Sequence, residues 1–61
     1  MKYDIIKKCF NHFIAREITF SILAENEIAQ GRGGHIVEHY KKVAKEAKEM
    51  ANELKKLLEM N

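Results

Sequence analysis

Proline and tryptophan are absent from this 61-residue sequence, cysteine occurs once, and the only three glycines lie between positions 31 and 34. One cysteine excludes an intramolecular disulfide and a cysteine-rich metal site, which are the usual supports of a small fold. Because proline is missing and the glycines are clustered, nothing in the sequence interrupts a helix on either side of the cluster. The composition therefore favours two helical segments joined by one short break.

Long apolar runs are also lacking. No segment approaches the ~20 apolar residues of a membrane-spanning helix, and the N-terminal residues lack the apolar core and small-residue cleavage site of a secretory signal. We therefore expect a cytoplasmic protein with no membrane partner, in which the single thiol stays reduced.

Charge of one sign is not in excess. Eleven Lys and Arg residues oppose nine Asp and Glu residues, so the net charge is only +2. A nucleic-acid partner usually requires a concentrated basic face, and this balance by itself does not predict one.

A chain of this length buries only about 60% of the surface that its unfolded form exposes. Self-association or a partner protein is the expected remedy.

The second half of the chain carries an apolar residue at every seventh position. This column is flanked by two further apolar columns, and together they fill an arc of about 160° on a helical wheel of 100° per residue. The pattern predicts a helix over about 35–60 with one wide apolar side. The central column comprises Ile36, Val43, Met50 and Leu57, and the flanking columns comprise Tyr40, Ala47 and Leu54, and Val37, Ala44, Ala51 and Leu58.

The first half predicts a second helix over about 3–29. Gly31 suits the left-handed residue that ends a helix, and Glu38, three residues after His35, indicates a start similar to a capping box. A short turn between long helices implies an antiparallel hairpin. The alternative is a short strand at 18–22, because Ile18-Thr19-Phe20-Ser21-Ile22 alternates and is β-branched.

The predicted fold class is all-α, with one helical-hairpin domain over 1–61. Apolar residues of the first helix point in more than one direction, which is expected if this helix lies inside an oligomer. We therefore expect the hairpin to assemble with itself, as a four-helix-bundle homodimer or a higher oligomer. The predicted interface comprises Phe10, Phe13, Glu17, Phe20, Ile36, Tyr40, Val43, Ala47, Met50, Leu54 and Leu57.

Glu17 is the polar exception on the apolar face of the first helix. A buried carboxylate is costly unless it is paired or protonated, so we expect a cation, a metal or a hydrogen-bond donor beside it. Ser21 lies one helical turn later, and the hairpin places Lys48 at a similar height. A structural or specificity role for Glu17 is favoured over a metal role, because the Glu-x-x-His repeats of metal-binding bundles do not occur.

A metal-binding bundle is one alternative function. His35 and His39 lie one helical turn apart, a spacing that suits two ligands of one zinc ion, and Glu27 or Glu25 is expected across the turn. Glu17 is the further candidate ligand of this alternative.

Cys9 and His12 are three residues apart, but no third group or oxyanion donor accompanies them. The expectation is therefore a protein with no catalytic residues and no cofactor.

A nucleic-acid-binding regulator is the other alternative, since dimerisation doubles any basic patch. In size and hairpin layout the predicted architecture is similar to the small RNA-binding helical-hairpin dimers that control plasmid copy number. The favoured function is a small, non-enzymatic regulatory or scaffolding module whose partner is itself, or another protein. The candidate RNA or DNA contacts are Lys7, Lys8, Arg16, Lys41, Lys45 and Lys48.

Overall fold

The computed structural model describes residues 2–60 and contains two α-helices that pack against each other. Helix α1 spans Lys2–Ala29 and helix α2 spans His35–Glu59. The pair is a narrow rod of 45 × 13 × 12 Å. The predicted hairpin and its boundaries are confirmed to within one residue. The alternative of a strand at 18–22 is wrong, because those residues lie inside α1, where neighbouring helical turns and packing on α2 outweigh their β propensity.

A glycine ends α1. Gly31 has φ +76°, the left-handed conformation that glycine adopts without steric cost. Its backbone N–H donates to the carbonyl of Ile28 at 3.0 Å, and the N–H of Arg32 donates to the carbonyl of Glu27 at 2.9 Å. These two bonds form a Schellman motif, which satisfies carbonyls that the helix end leaves free. The predicted role of Gly31 is confirmed.

A second glycine begins α2. Gly34 is the N-cap residue, with φ +76°, and its carbonyl accepts a hydrogen bond from the N–H of Glu38 at 3.1 Å. No side chain caps this helix. The predicted capping box of His35 and Glu38 is therefore wrong, because the chain reverses at Gly34 and His35 is already the first helical residue.

The contact between the helices is made largely by small side chains. Among residues 2–60 the buried apolar residues are Ala24, Val37, Ala44, Ala47 and Ala51, and no large side chain is fully buried. Alanine at these positions allows the two backbones to approach closely. The larger apolar residues that face the other helix are consequently only half-buried.

The hairpin exposes more surface than a compact chain of its mass. Its accessible surface is 4900 Å². A compact monomer of 7.1 kDa is expected to expose about 4,100 Å². Many of the exposed atoms belong to large apolar side chains, and the isolated hairpin thus leaves unburied much of the apolar surface that the sequence supplies.

Candidate functional site

The two long sides of the hairpin differ in chemistry. On one side the rings of Phe20 and Tyr40 lie 5.8 Å apart, and the Arg16 guanidinium lies 4.9 Å from the centre of the Phe20 ring. On the other side Ser21 and Lys41 line a shared groove. We call these the Tyr40 side and the Lys41 side. These contacts fix the orientation of each helix. The helical period of 3.6 residues then shows which side each remaining residue lies on.

The Tyr40 side carries the seven-residue apolar column of α2. Ile36, Met50 and Leu57 are 40%, 46% and 47% exposed, and Val43 between them is half-buried. The column lies beyond Tyr40, on the flank of α2 that points away from Lys41. The apolar arc of α2 is therefore wider than its contact with α1, and its outer edge remains accessible.

Helix α1 extends the same apolar surface. Leu23, three residues after Phe20, and Cys9, seven residues before Arg16, both fall on the Tyr40 side. Ile5 lies on it as well and is 63% exposed. The surface runs along the whole hairpin and receives side chains from both helices. Its α1 and α2 members are Ile5, Cys9, Arg16, Phe20, Leu23, Ile36, Tyr40, Val43, Met50 and Leu57.

The predicted interface residues divide into two groups. One group, which faces the other helix of the same chain and is buried or half-buried, comprises Phe10, Phe13, Glu17, Phe20, Tyr40, Ala47 and Leu54. The other group is the column of α2 that begins at Ile36 and ends at Leu57. Three of the four residues of this column are exposed, whereas no member of the first group is.

Glu17 lies on the inner face of α1 and is half-buried. Within residues 2–60 it accepts no hydrogen bond from Ser21 and forms no ion pair with Lys48. In the single chain this carboxylate is therefore only half-buried and remains accessible to water. A partner for Glu17 in an assembly stays a prediction.

A second apolar stripe lies on the back of α1. Ile18 and Ile22, both 54% exposed, lie one turn apart, and Ile14 continues the row as a half-buried residue. The sequence signal for this stripe is the spacing of four residues between its members. The predicted interface does not include the stripe, because the inner face of α1 alone supplies enough apolar surface for a hairpin.

The predicted basic residues do not form one patch. Arg16 lies on the Tyr40 side and stacks on Phe20, and Lys8 lies two turns before it. Lys41 and Lys48 lie on the other side of the hairpin, where Lys41 and Glu25 line the same open groove of about 260 Å³. The candidate nucleic-acid contacts are thus split between opposite sides.

The predicted metal ligands are not brought together. Among the described residues, no group of three or more His, Cys, Asp or Glu side chains is placed to hold a metal ion. Glu27 instead pairs with Arg32, whose Nε donates to Glu27 Oε2 at 2.6 Å. This hydrogen bond, with the positive charge of the guanidinium, lowers the pKa of the Glu27 carboxyl. Glu27 therefore contributes an ion pair to the turn between the helices. His35 and His39 are exposed on α2.

The cysteine lies in the open on α1. Cys9 is exposed, and the ring of His12 packs edge-on against Phe13 with centres 5.2 Å apart.

Neither α1 nor α2 has an apolar stretch long enough to cross a membrane. Comparison of the chain with protein-family models, curated proteins and solved structures finds no match.

Proposed function

We propose that this chain is a self-associating helical hairpin that acts as a small, non-enzymatic interaction module, with a homodimer that closes into a four-helix bundle. The observation that carries the proposal is the accessible apolar column from Ile36 to Leu57 beside an alanine contact. Monomeric soluble proteins rarely leave contiguous apolar surface of this kind uncovered. A second hairpin offers the matching shape, because two such sides packed together give four antiparallel helices around one core.

The area of the Tyr40 side suits a stable dimer. The hairpin measures 45 Å by 13 Å between backbone extremes. That footprint of roughly 600 Å², widened by side chains, approaches the ~800 Å² that each partner buries in a standard interface. A scaffolding or regulatory role would follow from assembly, since a dimer through the Tyr40 side leaves Ile18 and Ile22 on the back of α1 accessible to a further partner.

A lysine at the centre of the Tyr40 side tests the proposal. In Met50→Lys the ammonium group faces the apolar side of the second copy, and the dimer is expected to dissociate because a buried unpaired charge is costly. Ile22→Lys is the matched control, since Ile22 is similarly exposed but lies on the back of α1. Sedimentation equilibrium should give a monomer for Met50→Lys and a dimer for Ile22→Lys. A dimer for both would remove the Tyr40 side as the interface.

A nucleic-acid partner is a second candidate, favoured by the lysines of the Lys41 side. Lys41, Lys48 and Lys55 recur every seven residues on α2, away from the apolar column, and a dimer would present two such rows. If they bind phosphates, a mobility shift with duplex RNA or DNA at low salt should weaken steeply as salt rises. Lys41→Ala/Lys48→Ala should abolish the shift while dimer mass is unchanged, and no shift for the wild-type chain would end this candidate.

A further inference from the structure

We infer that the second copy packs on the Tyr40 side with both turns at the same end of the bundle, so that α1 of each chain lies against α2 of the other. This inference rests on the self-association proposed above and adds the arrangement of the two copies. Two arrangements bring the apolar columns together, one with the turns at the same end and one with the turns at opposite ends. In both, every neighbouring pair of helices is antiparallel, so the helix dipoles do not distinguish them.

The charges along the edges of the Tyr40 side do distinguish them. On α1 the outer edge carries the cationic residues Lys8 and Arg16, with His12 between them, at intervals of four residues. The stacking of Arg16 on Phe20 places Arg16 on the Tyr40 side. A row spaced in fours turns by about 40° per step, so His12 and then Lys8 lie progressively farther out along this edge. On α2 the outer edge beyond the apolar column carries Glu46 and Glu53, seven residues apart. One helix therefore lines the interface with positive charge and the other with negative charge.

These edges have matching heights when the turns lie together. Arg16 lies thirteen residues before the end of α1, and Glu46 lies eleven residues after the start of α2. Lys8 lies twenty-one residues before that end, and Glu53 eighteen residues after that start. At 1.5 Å per residue both differences are under about 5 Å along the bundle axis, within the reach of long side chains. Each α1 edge then lies beside an oppositely charged α2 edge of the other copy.

The opposite arrangement brings like charges together. With the turns at opposite ends, α1 lies against α1 of the other copy and α2 against α2. Arg16 is close to the middle of α1 and Glu46 to the middle of α2, so each would lie beside its own counterpart. Like charges in an interface disfavour that pairing, whereas opposite charges select a partner and an orientation. The charge pattern thus favours the arrangement with the turns together.

A charge exchange between copies tests this pairing. Arg16→Glu alone and Glu46→Lys alone each place like charges on both edges of their own homodimer, and each should raise the dimer dissociation constant on the order of tenfold or more. A one-to-one mixture restores opposite charges on both edges, and most of the lost affinity should return. Sedimentation equilibrium of each variant and of the mixture measures this.

The matched control is Arg16→Gln mixed with Glu46→Lys. Arg16→Glu also removes the stacking on Phe20, and so does Arg16→Gln, but only the glutamate supplies a partner for the new lysine. The glutamate mixture should regain opposite charges on both edges, whereas the glutamine mixture keeps only the one Arg16–Glu46 pair of its heterodimer. A dimer that is clearly tighter in the glutamate mixture than in the glutamine mixture supports the inference. Equal behaviour of the two mixtures, or variants that dimerise as tightly as the wild type, overturns it.

A distance between the two turns gives an independent reading. Gly33 lies in the turn, where an added side chain meets nothing within 4 Å. In Cys9→Ser/Gly33→Cys, spin labels on the two copies should lie roughly 15–30 Å apart, since neighbouring helix axes are 8–10 Å apart. A distance near or above the 45 Å length of the hairpin, measured on a sample with dimer mass, overturns the arrangement and leaves self-association standing. A wild-type chain that sediments as a monomer overturns both.

Discussion

At the residue scale, the turn depends on Gly31. An L-residue with a side chain is strained at its φ of +76°, so Gly31→Ala should destabilise the folded state by about 1 kcal/mol. For a chain of this size the melting temperature should fall by roughly 4–8 °C. Thermal unfolding followed by circular dichroism at one fixed chain concentration measures the change.

Gly33→Ala is the control for this substitution. Gly33 is not among the residues with positive φ, and an alanine there meets no neighbour. Its melting temperature should stay the same or rise slightly, because alanine reduces the freedom of the unfolded chain. Equal decreases in melting temperature for the two variants would show that the loss does not come from the positive φ of Gly31.

The ion pair of the turn has a predictable pH dependence. The pKa of Glu27 is lowered from its ordinary 4.5 in the folded chain, chiefly by the hydrogen bond from Arg32. A lowered pKa means that the stabilisation is complete above the unfolded value and is lost as pH falls through the folded value. Between pH 7 and pH 3 the wild type should therefore lose more stability than Glu27→Gln. Parallel losses in the two proteins would contradict this assignment.

At the element scale, the alanines set the distance between the helices. Ala47 and Ala51 are each 2% exposed, and a larger side chain there must push α2 away from α1. Ala51→Leu should cost about 1–3 kcal/mol, as overpacked cores do. Ala29→Leu, at the exposed last residue of α1, should leave urea unfolding nearly unchanged. An Ala51→Leu variant as stable as the wild type would show that the helices are not held by close packing.

The sequence predicts these elements well because their signals are local. The apolar columns of α2 and the glycine cluster establish two helices and one turn, and Gly31 adopts the predicted conformation. The start of α2 is less predictable, since Gly34 and not a polar side chain occupies the N-cap. The ion pair of Glu27 with Arg32 is not predictable from the helical period, because Arg32 lies beyond the end of α1.

The predicted interface is less local and was resolved only in part. A periodic pattern identifies an apolar arc, but it does not divide the arc between the other helix of the chain and a second molecule. The sequence predicts one interface that includes both the column of Ile36 and Met50 and the residue Ala47, whereas the structure buries Ala47 between the two helices of the chain and leaves the column more exposed. The difference arises because small residues allow close approach, which moves the column to the edge.

At the scale of the whole molecule, the proposed function depends on what covers the Tyr40 side. The apolar column, the excess surface of the hairpin and the opposite charges of its two edges all favour a second copy. Self-association would also supply the buried core that a 61-residue chain with one cysteine otherwise lacks.

Sedimentation equilibrium of the wild-type chain over a range of concentrations tests this claim most directly. We expect a reversible species of about twice the 7.1 kDa mass of one chain, with a melting temperature that rises with concentration. A single species of 7.1 kDa at all concentrations, with one sharp unfolding transition independent of concentration, would contradict it.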